Sequence, residues 1–400
     1  MKTVGIIAEY NPFHSGHAYQ ISEARRLFGA DSVVVIMSGS FVQRGEPACA
    51  DKFKRAEWAV RNGADAVIEL PDVFSLSCAE RFASGAVRIL KGTGIVGGLC
   101  FGSELGDADR LKEIAFTEPE GDSFSAGMAA GLSYPKALSD ARGAELSPND
   151  ILAVEYIRAN KRYNCGFDIL PVRRESSYND TSLGGEYSSA LAIRNALNSC
   201  SGDMRMSPAV FDGLSRSVPR NVLEDLALML KKGDFPATAE GLSDAVIYRL
   251  RCMSFEEIAA LPEVSEGLEN LFKECALESS GFSELMDRVK SKRYTMARLK
   301  RTAMCALLGI TRGLQDMAYA DDSALYIRLL AVRDPSAGVI SEIKNASTIP
   351  LIVKASDREA LPPLAREVER VSALAHSLRA IGAPYEKAAI GDSSHRLITI

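Results

Sequence analysis

Cysteine pairs at metal-binding spacing are missing from this 400-residue chain: Cys49, Cys78, Cys100, Cys165, Cys200, Cys252, Cys275 and Cys305 lie scattered, with no CxxC among them. That excludes the common zinc-ribbon spacings and fits reduced thiols, so a cytoplasmic location is expected. No apolar run reaches membrane-spanning length. The opening MKTVGIIAEYNPFHSGH turns polar without a small-residue cleavage site, so neither signal peptide nor membrane anchor is expected. A net charge of -5 excludes a globally basic surface, and any nucleic-acid partner needs a local patch. Repeats and low-complexity tracts are missing too, and no metal-ligand set or protein partner is legible. With 46% hydrophobic and 25% charged residues, the composition is that of a globular protein. Only four histidines occur, so any grouping among them is informative.

What is present begins with short apolar runs rich in β-branched residues, 3–8 (TVGIIA) and 32–37 (SVVVIM), the first with the look of a strand buried on both faces and the second of another buried strand. The segments 66–70 (AVIEL), 97–101 and 167–172 are read as three further strands. Helical stretches over 17–27, 52–62 and 78–91, and another opening at Ser147-Pro148-Asn149-Asp150, alternate with them. Gly102 is expected to end the fourth strand in a tight turn. The alternation predicts an α/β, doubly wound Rossmann-like parallel sheet. After about residue 200 helical periodicity dominates, with short strand-like runs in 325–354 and 384–400. Two regions are therefore expected: 1–203, binding nucleotide, and 204–400, mainly helical with a few short strands. In such sheets ligands bind beyond the carboxyl ends of the strands.

The strongest local signal falls at one of those ends: Tyr10-Asn11-Pro12-Phe13-His14-Ser15-Gly16-His17, between the first strand and the first helix. At this spacing His14 lies in the loop and His17 in the opening helical turn, so both imidazoles can meet a triphosphate held by the helix's free N–H groups. Gly16 lets the nucleotide approach the backbone. A histidine donor near the bridging phosphate oxygens stabilises charge as pyrophosphate leaves.

This arrangement resembles the HxGH nucleotidyltransferase superfamily. A second element, Tyr187-Ser188-Ser189-Ala190-Leu191-Ala192-Ile193-Arg194, resembles the superfamily's ISSTxIR, with Leu191 where a hydroxyl residue is usual; Arg194 is a candidate phosphate contact. Three longer strings narrow the resemblance: 37–47 (MSGSFVQRGEP), 67–71 (VIELP) and Phe101-Gly102-Ser103-Glu104. Together with Lys292-Arg293-Tyr294-Thr295 and Tyr326-Ile327-Arg328-Leu329-Leu330, they are similar to the tRNA(Met) cytidine acetate ligase family. The resemblance implies an enzyme that activates acetate with ATP as acetyl-adenylate and acetylates the wobble cytidine of elongator tRNA(Met). It implies His14 and His17 as catalytic residues. The implied ATP contacts are Ile7, Ala8, Glu9, Tyr10, Asn11, Pro12, Phe13, His14, Ser15, Gly16, His17, Ala18, Tyr19, Gln20, Gly102, Asn149 and Arg174, with Arg173 a near rival of Arg174 because Glu175-Ser176-Ser177 departs from the usual small residues. Magnesium is expected with the triphosphate. Gln43 and Arg44 sit on a polar loop beside the crevice and stay outside this set. Lys52 and Arg55, one helical turn apart, either face phosphate or form a solvated helix face.

Residues 288–301 carry seven basic side chains and no acid, the local patch that an acidic chain would need for RNA. Lys292, Arg293 and Lys300 are expected to meet phosphate, and Tyr294 to stack on a base. A basic run is more often a solvated helix face. Two other functions share these features: a small-molecule adenylyltransferase of cofactor biosynthesis, and a non-catalytic, nucleotide-sensing RNA-binding protein.

Overall fold

The computed structural model describes residues 1–117, 146–174, 183, 188–200, 202–265, 267–323, 325–334, 338–385, 387–388 and 390–400. Tyr187, Glu175, Ser176 and Ser177, singled out above, lie outside these residues.

The expected strands form as β1 (Thr3–Ala8), β2 (Ser32–Ser38), β5 (Ala66–Leu70), β6 (Val96–Ser103) and, at the sheet edge, β7 (Asp168–Arg173). Every residue of β2 and β5 is buried, as expected for strands covered on both faces. Alternate side chains serve two cores: Ile6, Val33, Val35 and Val67 enter one, and Ile7, Val34, Ile36 and Ile68 the other. Between β2 and β5 a small antiparallel hairpin, β3 (Phe41–Val42) and β4 (Glu46–Pro47), stands apart. The first helix, α1 (Ser15–Phe28), buries Ile21, Ala24 and Phe28 and ends at Gly29 in the left-handed region. Asp51 caps α2 (Lys52–Arg61), accepting from the N–H groups of Phe53 and Lys54. After α3 (Asp72–Ser75), α4 (Ala79–Gly92) and α5 (Ala108–Phe116), Ser147 caps α6 (Pro148–Arg162), with proline at its first position.

Three later strands, β8 (Ile327–Val332), β9 (Leu351–Ile352) and β10 (Ile398–Thr399), complete a sheet of order β10-β8-β5-β2-β1-β6-β7, with β9 beside β8. From β1 the chain adds strands outward on one side (β2, β5), then returns to the other side (β6, β7). This is the reversal that opens a crevice at the carboxyl ends of β1 and β6.

The division expected at 203/204 does not bound the sheet. Strand β8 (Ile327–Val332) pairs antiparallel with β5, and β9 (Leu351–Ile352) and β10 (Ile398–Thr399) join β8. The region after 204 is otherwise mainly helical, as expected, and its longest helix is Pro363–Ile381. Among the described residues no helix is long and apolar enough to cross a membrane.

Candidate functional site

Beyond Ala8 the chain leaves β1 through Glu9 and Tyr10, whose backbone is left-handed (φ 48°), passes a cis Asn11-Pro12 bond and reaches His14, the residue preceding α1. Tyr10 and Phe13 are wholly buried, ring centroids 4.9 Å apart, and fasten the loop into the core. Asn11 Oδ1 accepts from the Cys49 N–H at 2.8 Å. The Glu9 carboxylate accepts from the Gln43 N–H at 2.8 Å, joining the hairpin of β3 and β4 to this loop. Burial pushes the Glu9 carboxyl up from its ordinary range.

His14 and His17 stack, ring centroids 3.6 Å apart and 24° between planes. His17 Nδ1 accepts the His14 backbone N–H at 3.2 Å, so the proton of a neutral His17 ring sits on Nε2. Burial pushes His14 down to about 3, with the Arg174 and Arg194 guanidiniums adding to the effect. His17 is held well below its ordinary value by burial, then by His14 and Arg174. Both imidazoles are neutral at physiological pH, and positive charge at the site comes from arginine. Of the remaining loop and helix positions, Ile7 and Ala8 end β1, while Ser15, Gly16 and Ala18 form the first turn of α1 beside His17. Further on, Tyr19 is exposed and Gln20 half-buried.

Gly102 is not in a turn. It lies within β6, which runs on to Ser103 because β7 continues beside it and pairs Gly102 with Val172. A Cβ on Gly102 would sit 3.4 Å from Arg174 Cδ, so the missing side chain leaves room for the arginine stem. Arg174 Nε is buried without a hydrogen-bond acceptor, 3.7 Å from a Glu104 oxygen. Its rival Arg173 is exposed, and its side chain packs by Gly106. Asn149 Nδ2 donates to Glu104 Oε1 at 2.7 Å, and Ser147 Oγ donates to the other Glu104 oxygen. Glu104 thus joins the Asn149 and Arg174 positions. Its string Phe101-Gly102-Ser103-Glu104 stands out in the sequence, but the role depends on partners 45 and 70 residues away.

Helix α7 (Ala190–Cys200) brings Arg194 to the same loop, where Nη1 donates to the Asn11 carbonyl at 2.7 Å. At the helix start Ser189 Oγ accepts the Ala192 N–H at 3.1 Å, and Leu191 is half-buried. Ser188 and Ser189 are both buried.

Lys52 and Arg55 fit neither expectation, since both side chains are wholly buried. Lys52 Nζ lies 2.5 Å from Glu69 and 2.5 Å from Asp392. Arg55 donates to the carbonyls of Glu9 (2.6 Å), Ser38 (3.2 Å), Ala50 (3.1 Å) and Gly39. Burial lowers the Arg55 guanidinium to about 10. Four carbonyls in reach explain why a charge is tolerated here.

The basic run divides between interior and surface. Tyr294 does not offer its ring to a base: it is buried, its hydroxyl donates to the Ser265 carbonyl at 3.1 Å, and the Arg298 guanidinium lies 4.6 Å from the ring centroid. Lys300 pairs with Glu46 at 2.5 Å, and Arg301 with Glu263 at 2.8 Å. Lys292 and Arg293 are exposed. Helix Met296–Leu308 docks on the β3–β4 hairpin, where a Cβ on Gly45 (φ 75°) would fall 2.3 Å from the Arg301 nitrogen. Gln43 in the hairpin links this helix to Glu9: its carbonyl accepts from Arg301 Nη1 at 3.3 Å, and its N–H donates to Glu9 at 2.8 Å.

Residues 1–388 match the family model described as HIGH Nucleotidyl Transferase. The tRNA(Met) cytidine acetate ligase of Acetivibrio thermocellus is 38% identical over 388 residues, covering 92% of each chain. That of Alkaliphilus metalliredigens is 34% identical over 380 residues, covering 88% of each. Among solved structures, Thermotoga maritima TmcAL bound with alpha-thio ATP matches with TM-score 0.88 at 28% identity over 100% of both chains, and its apo form with TM-score 0.90 at 29%.

Proposed function

The chain belongs to the HIGH nucleotidyl transferase family and, within it, to the tRNA(Met) cytidine acetate ligases, and from that membership we propose that it acetylates the wobble cytidine of elongator tRNA(Met) using ATP and acetate. The observation that carries the reading is the stacked, neutral His14–His17 pair at the start of α1, with Arg174 and Arg194 beside it. An acetate oxygen attacks the α-phosphorus, the bond to the bridging oxygen breaks, and pyrophosphate leaves with the electron pair. The N4 amine of cytidine then attacks the acetyl carbonyl, AMP departs with the anhydride oxygen, and the amine gives up one proton.

In the first step His17 Nε2–H, with His14 beside it, serves as a neutral hydrogen-bond donor to phosphate oxygens. The guanidiniums balance charge as pyrophosphate forms, a preorganised electrostatic contribution. The unsatisfied Arg174 Nε–H and the first-turn N–H groups of α1 suit the same anion. Asn149, hydrogen-bonded to Glu104, is the proposed contact to the base or ribose edge. Magnesium would travel with the triphosphate, taking most ligands from phosphate and water, since Glu9 and Glu104 already accept from protein donors. The exposed Lys292 and Arg293 are the proposed tRNA phosphate contacts, and the protein acts in the cytoplasm, where ATP and tRNA are found.

Mass analysis of nucleosides from tRNA incubated with the protein, ATP and acetate tests this reading. It is expected to show one acetyl group on cytidine, dependent on all three. ATP–pyrophosphate exchange unaffected by acetate would instead favour a small-molecule adenylyltransferase.

A further inference from the structure

Two of the four histidines take no part in the nucleotide site, yet they come together with one carboxylate. His376 lies on the long helix Pro363–Ile381, His395 follows the short turn Asp392–Ser394 in the tail, and Asp51 caps α2. One ligand atom from each lies within 4.8 Å of the others. We propose that these three residues form a structural divalent-metal site of the zinc type that fastens the C-terminal tail to the sheet.

The argument rests on His376, only 2% exposed. Its Nε2 lies 3.1 Å from the Ile390 carbonyl, which can only accept, so Nε2 carries the proton and the neutral ring presents a lone pair at Nδ1. That Nδ1 makes no hydrogen bond and faces Asp51 Oδ2 at 3.3 Å. A lone pair and a carboxylate oxygen repel unless a cation lies between them. Asp51 Oδ1 is occupied by the Phe53 N–H at 2.7 Å, leaving Oδ2 as the free ligand atom. Lys52 is committed to Glu69 and Asp392.

The His376–Asp51 separation suits a tetrahedral ion, and the three ligand atoms lie within 4.8 Å of one another. Zinc–ligand bonds of about 2.0 to 2.1 Å place neighbouring ligand atoms about 3.3 Å apart, the separation found between His376 Nδ1 and Asp51 Oδ2. The Nε2–H to carbonyl bond is the outer-shell partner that orients a ligating imidazole. His395, stacked on Phe53 with centroids 4.0 Å apart, would supply the third ligand, and water would complete the set. Two imidazoles and a carboxylate select zinc, cobalt or nickel over magnesium or calcium.

The test uses full-length protein stripped with chelator and titrated with Zn2+ by calorimetry, with Co2+ visible bands reporting coordination. One equivalent of Zn2+ is expected, together with a raised Tm. His395→Ala, on the half-exposed tail, and Asp51→Asn, which keeps the helix cap, should each weaken binding at least about tenfold, in line with the sensitivity of such sites. A His14→Ala/His17→Ala double variant should bind as before. Failure of wild type to bind stoichiometric Zn2+ would overturn the proposal. So would loss of binding in the His14/His17 variant with retention in His395→Ala, which would place the metal at the nucleotide site.

Discussion

Arg55 Nη1 donates to the backbone carbonyl of Glu9 at 2.6 Å from a side chain with no exposed surface. Glu9 is where β1 gives way to the histidine loop, and the same guanidinium reaches Ser38 at the end of β2. One planar group therefore ties together two strand ends at the crevice. Arg55→Met keeps the stem but strips donors from several buried carbonyls, each costing about 1 to 3 kcal/mol when unsatisfied. The expected outcome is a loss of about 3 kcal/mol or more in urea unfolding, with Arg55→Lys recovering only part. An unchanged urea midpoint in Arg55→Met would refute the clamp.

Neutral histidines have a pH signature. His14 stays unprotonated in the fold down to about 3, whereas in the unfolded chain it takes up a proton near its ordinary value of 6.5. Its folded value is depressed, so its contribution to stability is present above about 6.5 and is lost as pH falls toward 3. Each such histidine contributes about 1.4 kcal/mol per pH unit within that window. His14→Gln should therefore flatten the acid side of the stability curve by one proton's worth. Acetate-dependent ATP–pyrophosphate exchange should show no rate limb near pH 6.5 that this variant removes. A limb of that kind would mean that a charged imidazole does the work. The rate itself should fall by about 100-fold or more in His14→Ala or His17→Ala, the scale for losing an oriented donor to developing charge, with ATP binding much less affected.

What could be read from sequence, and what could not, separates along one physical line. The central strands were legible because a strand covered on both faces is a largely continuous apolar run, as 3–8 and 32–37 are. The histidine loop was legible because it follows the first of them. Lys52 and Arg55 were not, because a charge on a helix is usually solvated. What buries Lys52 includes Asp392, 340 positions away. A strand-like run was expected in 325–354, but its place in the sheet was hidden: nothing local in 327–332 says that it will pair with 66–70. His376 and His395 have no shared motif, only a shared place in the fold.

The two neighbouring arginines after β7 are separable by kinetics. Arg174 lies over Gly102 near the histidines, whereas Arg173 is exposed by Gly106. Arg174→Ala should raise KM for ATP about tenfold or more, the scale of a lost charge-assisted contact, and Arg173→Ala should stay near wild type. Glu104→Gln is expected to have an intermediate effect, since it keeps an acceptor for Asn149 but loses the charge beside Arg174. Equal KM values for the two alanine variants would remove Arg174 from the site.

For the basic run, exposure decides which residues can meet RNA. Lys292 and Arg293 are at the surface, whereas Lys300 is held by Glu46 and Tyr294 is buried. Each phosphate neutralised by a basic side chain releases counterions, giving a log–log salt slope of about 0.7 per contact for single-stranded RNA. The double change Lys292→Glu/Arg293→Glu should weaken tRNA binding and lower that slope by about 1.4, with ATP affinity unchanged. Lys300→Ala should change the slope less, because its charge is already paired. Tyr294→Ala should act on the fold, costing about 3 kcal/mol or more in unfolding, as large-to-small changes at buried aromatic positions do. A base stacked on that ring would cost about 1 to 3 kcal/mol of tRNA affinity in the same variant. Titrations at several salt concentrations, run beside urea unfolding, separate the two. An unchanged slope in the double charge reversal would reduce 292–293 to a solvated turn and place the RNA contact elsewhere.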